Sequence, residues 1–238
     1  MLRRLVPLIL SYAIFLGSHN ILYSVLLSRS LSVPIEAMLA FVTAACLAYG
    51  VLVLAEKGFG VVPAEIPPVS LGKRTCFRYL WYGFWGLLGV NCVLSLLFVS
   101  GNTGDGRTMV FILRFLSAAV IHPVGEELLF RRLYLPRLGT CLPTSAAIIV
   151  QAILFSMTHY ASGAGNMLYA LAGGFILGTV YRSTGKLYFS ILLHSAVNLL
   201  GLFLPLVAVP AVCGISLGIL LISLLYFLLF RRRKETRL

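Results

Sequence analysis

Long apolar runs, broken by short clusters of basic, Gly and Pro residues, set the pattern of this chain. The runs are too long for ordinary strands. They also lack the polar stripe that a surface helix of a soluble protein turns to water. A helix that crosses a membrane needs about 20 mostly apolar residues. Eight stretches meet or approach that length: 5–27, 35–55, 79–99, 109–130, 145–160, 165–181, 187–207 and 211–230. The fifth and sixth are short, so their ends are the least defined. The pattern predicts an all-α, polytopic integral membrane protein with about eight transmembrane helices, forming a single transmembrane domain over residues 1–238. The first run follows Arg3 and Arg4, as a signal peptide's would. It is full length and no small-residue cleavage site follows it, so it reads as a retained helix.

Composition makes a soluble fold untenable. Hydrophobic residues are 60% of the chain and charged residues 11%, against about 25% charged in an ordinary globular domain. Mean hydropathy is +0.98. A net charge of +12 would suggest nucleic acid if it formed a basic patch on a soluble face. Here the basic residues sit between apolar runs, where they report orientation in the bilayer. With eight spans, Arg3, Arg4, Lys57, Lys73, Arg74, Arg78, Arg131, Arg132, Arg137, Arg182, Lys186 and the cluster from Arg231 to Arg237 share one side. Only Arg29, Arg107 and Arg114 fall on the other. Both termini are therefore expected on the cytoplasmic side. The terminal basic run reads as a stop-transfer anchor, with anionic lipid as its other possible partner. The five cysteines are widely spaced without a CxxC pair, which supports neither a disulfide framework nor a zinc ribbon.

Ionisable groups within apolar spans are costly and mark functional candidates. The fourth run ends in IHPVGEELLFRRLYLPRLG, with two adjacent carboxylates, Glu126 and Glu127. If the helix continues to about Arg137, Glu127 and Arg131 stand at i,i+4 and can pair. Glu126 then points about 100° away and is free for other chemistry. Pro123 and Gly125 weaken the helix just before them. Phe155 and His159, and likewise His194 and Asn198, stand four apart and are expected to share a helix face. A single buried His is commonly a partner in interhelical hydrogen bonding. That reading is kept for His19 and His122, and stays open for His159 and His194 taken singly. Asn91 and Gln151 read as interhelical hydrogen-bonding residues. With a reversal near 139–143, Glu126 and His159 each lie about 20–24 Å along their helices from the turn, hence level. His194 fits less well. Either the turn after the sixth run dips inward, or Lys186 lines a wet cavity. Gly174 and Gly178 form a small-xxx-small pair beside Gly173, a packing signal.

At these residues the sequence resembles the CPBP, or Abi, family of intramembrane proteases, which includes the type II CAAX prenyl endopeptidases and bacteriocin-processing relatives. The family motifs EExxxR, FxxxH and HxxxN read here as Glu126 to Arg131, Phe155 to His159, and His194 to Asn198, in order and on separate expected helices. The resemblance covers residues 109–200 as the catalytic core. It implies an endopeptidase that hydrolyses a peptide bond of a membrane-associated or lipid-modified protein, without nucleic acid as a partner. It implies that Glu126 and His159 activate water, and that His194 and Asn198 donate hydrogen bonds to the oxyanion. Glu127 and Arg131 would support the site, and no cofactor is needed. A zinc-dependent version held by Glu126, His159 and His194 is the alternative within the family. A non-catalytic scaffold or chaperone is the alternative outside catalysis, and a small transporter with a proton relay is disfavoured for want of an internal repeat. Asp105 is the sole aspartate and falls between runs, which excludes an aspartyl dyad. The small size points to a bacterial inner membrane as the location, with a eukaryotic endomembrane as the other home.

Overall fold

A computed structural model describes residues 2–27, 33–62, 66, 71–97, 108–203, 214–219 and 221–222. Seven long helical elements carry the fold. They are α1 (Leu2–Leu27), α2 (Val33–Gly58), α3 (Lys73–Leu97), α4 (residues 108–138), α5 (Thr144–Met157), α6 (Ala164–Thr184) and α7 (Leu187–Phe203). No strand occurs among the described residues. Three of these helices are by themselves long and apolar enough to cross a membrane, over Leu2–Leu26, Pro34–Gly58 and Ala164–Thr184. Large apolar side chains such as Ile9, Ile21, Leu54 and Phe175 face outward, as lipid contact permits. Most of the expected eighth span, the Gly-rich segment with Asp105 and Arg107, and the basic C-terminal run lie outside the described residues.

Small residues let the first two helices approach closely. Ala40, Ala44 and Ala48 recur every fourth residue on α2, are fully buried, and present one face on which α1 packs. Phe15, Phe41, Phe130, Tyr134 and Phe155 then join α1, α2, α4 and α5 in one aromatic core, with edge-on ring pairs at 5.2–6.2 Å. Buried hydroxyls are satisfied across helices. Ser11 donates to the Ala48 carbonyl at 2.8 Å and lies 2.9 Å from the Tyr134 hydroxyl, while Tyr12 donates to the Leu154 carbonyl. A second core of Leu87, Leu177, Val180, Leu193 and Val197 joins α3, α6 and α7.

Four expectations change. The fifth span is a helix only to Met157, and its last residues form a turn and a 3₁₀ segment, Tyr160–Ser162. Gln151 is buried without a hydrogen-bond partner, so it packs against Gly178 and does not bond between helices. Lys186 is exposed near the Tyr188 and Phe189 rings and does not line the cavity that His194 lines. Arg131 and Arg137, counted as orientation charges, are instead buried and paired. Arg137 grips Glu56 with two donors, its Nη2 at 2.9 Å from Oε2, and donates to the Leu133 carbonyl. Glu56 and Arg137 thereby tie the end of α2 to the end of α4.

Candidate active site

The site grows from an irregularity in α4. Its backbone passes from α-helix to π-helix at Leu116–Ile121, returns to α-helix over His122–Glu126, and is π-helical again at Glu127–Tyr134. The first change has a local cause. The His122 N–H reaches back five residues to the Ser117 carbonyl. The next carbonyl, Ala118, would need an N–H from residue 123, which is proline and has none. Asn198 of α7 fills the gap, its Nδ2 donating to Ala118 O at 2.9 Å. A buried carbonyl without a partner is costly, so Pro123 and Asn198 belong together although they are far apart in sequence. Gly125 removes another obstruction. A Cβ there would lie 2.4 Å from the Phe41 ring, so only glycine lets α2 press against α4 just before the carboxylates.

Both carboxylates are buried, at 8% exposure for Glu126 and 0% for Glu127. The i,i+4 pair forms as the spacing predicts, with Arg131 Nη1 2.9 Å from Glu127 Oε1 and both side chains fully buried. The guanidinium also lies over the Phe155 ring at 4.6 Å, a cation–π contact in a dry setting. His194 is the unexpected partner. Its Nδ1 is 2.9 Å from Glu127 Oε1, and its Nε2 is 3.6 Å from Glu126 Oε2. One imidazole therefore bridges the two carboxylates that the helix turns apart.

His159 sits in the turn after α5. Its Nδ1 donates to the Phe155 carbonyl at 3.2 Å and contacts Thr158 Oγ1 at 3.0 Å. Because a carbonyl can only accept, the contact with Phe155 is a hydrogen bond in the tautomer that carries the proton on Nδ1 and leaves the Nε2 lone pair free. The Phe155 and His159 rings remain neighbours at 5.0 Å, so the four-residue spacing holds even though the helix ends between them.

A cavity of about 300 Å³ brings these groups together. Its polar side carries Ser117, His122, Glu126, His159, His194 and Asn198. Its apolar side comes from Leu87 of α3 and from α6. Glu126, His159, His194 and Asn198 thus share one cavity, with Glu127 and Arg131 immediately behind. No three His, Cys, Asp or Glu side chains among the described residues are grouped closely enough to share one metal ion. The donor set named for zinc does not fit one ion here, and no step below passes through a metal.

Two residues read as structural from the sequence also belong to this neighbourhood. His122 lines the cavity and holds Ser117 through Nδ1. His19 of α1 lies within electrostatic reach of Glu126, His122 and His159, and its ring stacks between Phe15 and Tyr23. Three of the chain's four histidines therefore line one cavity with Glu126, and the fourth, His19, lies within electrostatic reach of it. The next residue, Asn20, accepts a hydrogen bond from Tyr160, which fastens α1 to the turn that carries His159. Lone histidines on apolar runs give no local spacing signal, so only the fold reveals this convergence.

Comparison with known proteins bears out the resemblance seen at the motifs. Residues 108–200 match the family model described as "Type II CAAX prenyl endopeptidase Rce1-like", a segment that begins with α4 and ends within α7. CAAX prenyl protease 2 of Homo sapiens is 27% identical over 196 residues, covering 69% of this chain and 54% of that protein. CAAX prenyl protease 2 of Rattus norvegicus is 29% identical over 102 residues, covering 43% of this chain and 30% of that protein. The chain thus spans about half or less of the length of these relatives. No solved structure matches.

Proposed function

We propose that this protein is an intramembrane endopeptidase that hydrolyses a peptide bond of a membrane-associated or lipid-modified protein. The observation that carries the reading is the shared cavity, which Glu126 and His159 line together and where His194 Nε2 stands 3.6 Å from Glu126 Oε2. The names of the two mammalian relatives favour a prenylated C-terminus as substrate. Water enters between Glu126 and His159. His159 orients it through Nε2, and Glu126 removes a proton as the oxygen adds to the peptide carbonyl. The oxyanion is met by donors from His194 and from the second N–H of Asn198, whose first is held by Ala118 O. Glu126 then returns the proton to the leaving nitrogen as the C–N bond breaks. The same wall serves a lipid-linked peptide in either a bacterial inner membrane or a eukaryotic endomembrane.

The arrangement supports these roles. Arg131 and His194 both approach the paired carboxylates, so a donor from His194 is within reach of an oxyanion formed beside Glu126.

The test is peptide cleavage by the purified full chain in lipid or detergent, with Glu126→Gln and His159→Ala as variants. Each should lose about 10²–10⁴-fold in turnover while keeping its thermal midpoint. Full cleavage by a folded Glu126→Gln chain would refute the glutamate base, whereas no cleavage by the folded parent chain would favour a scaffold that acts without hydrolysis. Turnover should also survive chelation; loss that zinc restores would mean a metal reaction.

A further inference from the structure

Three glycines of α6 look alike in sequence but not in surroundings. A Cβ on Gly174 would stand 2.8 Å from the Ala152 backbone, and one on Gly178 would stand 2.8 Å from Gln151 Oε1. Those two glycines exist for the close contact of α5 with α6. Gly173 is different. The nearest atom to an added Cβ is Leu87 Cδ2 at 3.6 Å, an ordinary contact, and the residue lines the cavity. Helix packing alone therefore does not require glycine there.

Tyr169, Ala170, Gly173 and Leu177 recur at one-turn spacing and share a face of α6, and all four line the cavity together with Leu87. Across from them stand Glu126, His159 and His194. The two smallest side chains, Ala170 and Gly173, fall between two of the largest, Tyr169 and Leu177, so the apolar wall has a notch. A peptide whose carbonyl lies against Glu126 must direct a neighbouring side chain somewhere, and this wall offers no partner for a charged one.

We propose that Gly173 is a specificity-determining residue. The notch over Ala170 and Gly173 receives an apolar side chain flanking the scissile bond, and the missing Cβ of Gly173 sets how large that side chain can be. This rests on the peptidase reading above and adds a size filter to it.

The experiment uses the full chain with Gly173→Ala and Gly173→Val. Membrane-anchored peptides are varied through Ala, Val, Leu and Phe on each side of the scissile bond in turn. On one side, kcat/KM for the Leu and Phe peptides should fall about 10–100-fold, while the Ala peptide stays within about threefold. The thermal midpoint of Gly173→Ala should hold or rise, since alanine favours helix. Equal loss on every peptide, or no change on any, overturns the proposal. Peptide binding in a Glu126→Gln background gives a second readout independent of hydrolysis. Size-selective binding that Gly173→Ala abolishes, in a chain whose parent cuts nothing, would keep the notch and reject the peptidase. Cleavage without size selection would do the reverse, and neither cleavage nor binding would reject both.

Discussion

Glu127 holds Arg131 within its own helix and His194 from a helix 67 residues away. These two bonds have different consequences when broken. Glu127→Gln leaves a fully buried guanidinium without its counter-charge, at a cost of about 3–5 kcal/mol. Adding Arg131→Met removes that stranded charge and should recover most of the loss in thermal midpoint. Turnover should not recover, because His194 still lacks the carboxylate that orients it. A double variant with restored stability and full turnover would reduce Glu127 to a partner of Arg131 alone. Half of this was legible beforehand. The Glu–Arg pair follows from spacing on one helix, whereas the His194 bond depends on how α7 packs against α4, which no local pattern encodes. His19 and His122 were harder still, because single polar residues on apolar helices look the same whether they face a site or a neighbouring helix.

At the level of the element, α4 is where periodicity misleads. A 3.6-residue period places Glu126 and Glu127 well enough to separate their roles. It does not foresee the π-helical turns, the first of which sends the His122 N–H to Ser117 and leaves the Ala118 carbonyl in register with Pro123, which has no N–H. Pro123 and Gly125 marked the weak point, and the identity of the compensating donor, Asn198, needed the fold. The pairing makes a prediction that separates structure from chemistry. Asn198→Ala should destabilise by about 1 kcal/mol by removing the partner of the part-buried Ala118 carbonyl. Pro123→Ala in the same background supplies an N–H to that carbonyl and should restore the thermal midpoint. Peptide turnover should stay low in the double variant, since the second amide N–H of Asn198 is still missing. Recovery of both together would make Asn198 purely structural. The neighbouring contact is stricter: Gly125→Ala drives a methyl into Phe41 and should cost about 1–3 kcal/mol, relieved by Phe41→Leu.

For the whole molecule, the three helices that carry the motifs do not enclose the site by themselves. Phe15 and Phe41 from α1 and α2 complete the core around Phe130, and Glu56 clamps α2 to Arg137. Hydropathy marked these two helices as spans without hinting that they buttress α4 and α5 behind the site. Orientation can be tested through the same architecture. α5 has 14 residues, about 21 Å of helix, against a hydrocarbon core of about 30 Å. If its start at the 139–143 turn lies at one boundary, the His159 turn falls short of the other. Irregular backbone at that depth is tolerated where it lines a cavity, and His159 lines the one that holds Glu126. By the positive charges of the alternate loops, the 139–143 turn is expected on the cytoplasmic face. Cys141, partly exposed in that turn, should react with a membrane-impermeant thiol reagent only in inside-out vesicles. A cysteine at the exposed Ser162, placed in a chain with Cys141→Ser, should react more slowly and only from the opposite face. Labelling of both positions from one face would overturn the expected topology, because α5 would then not cross the bilayer.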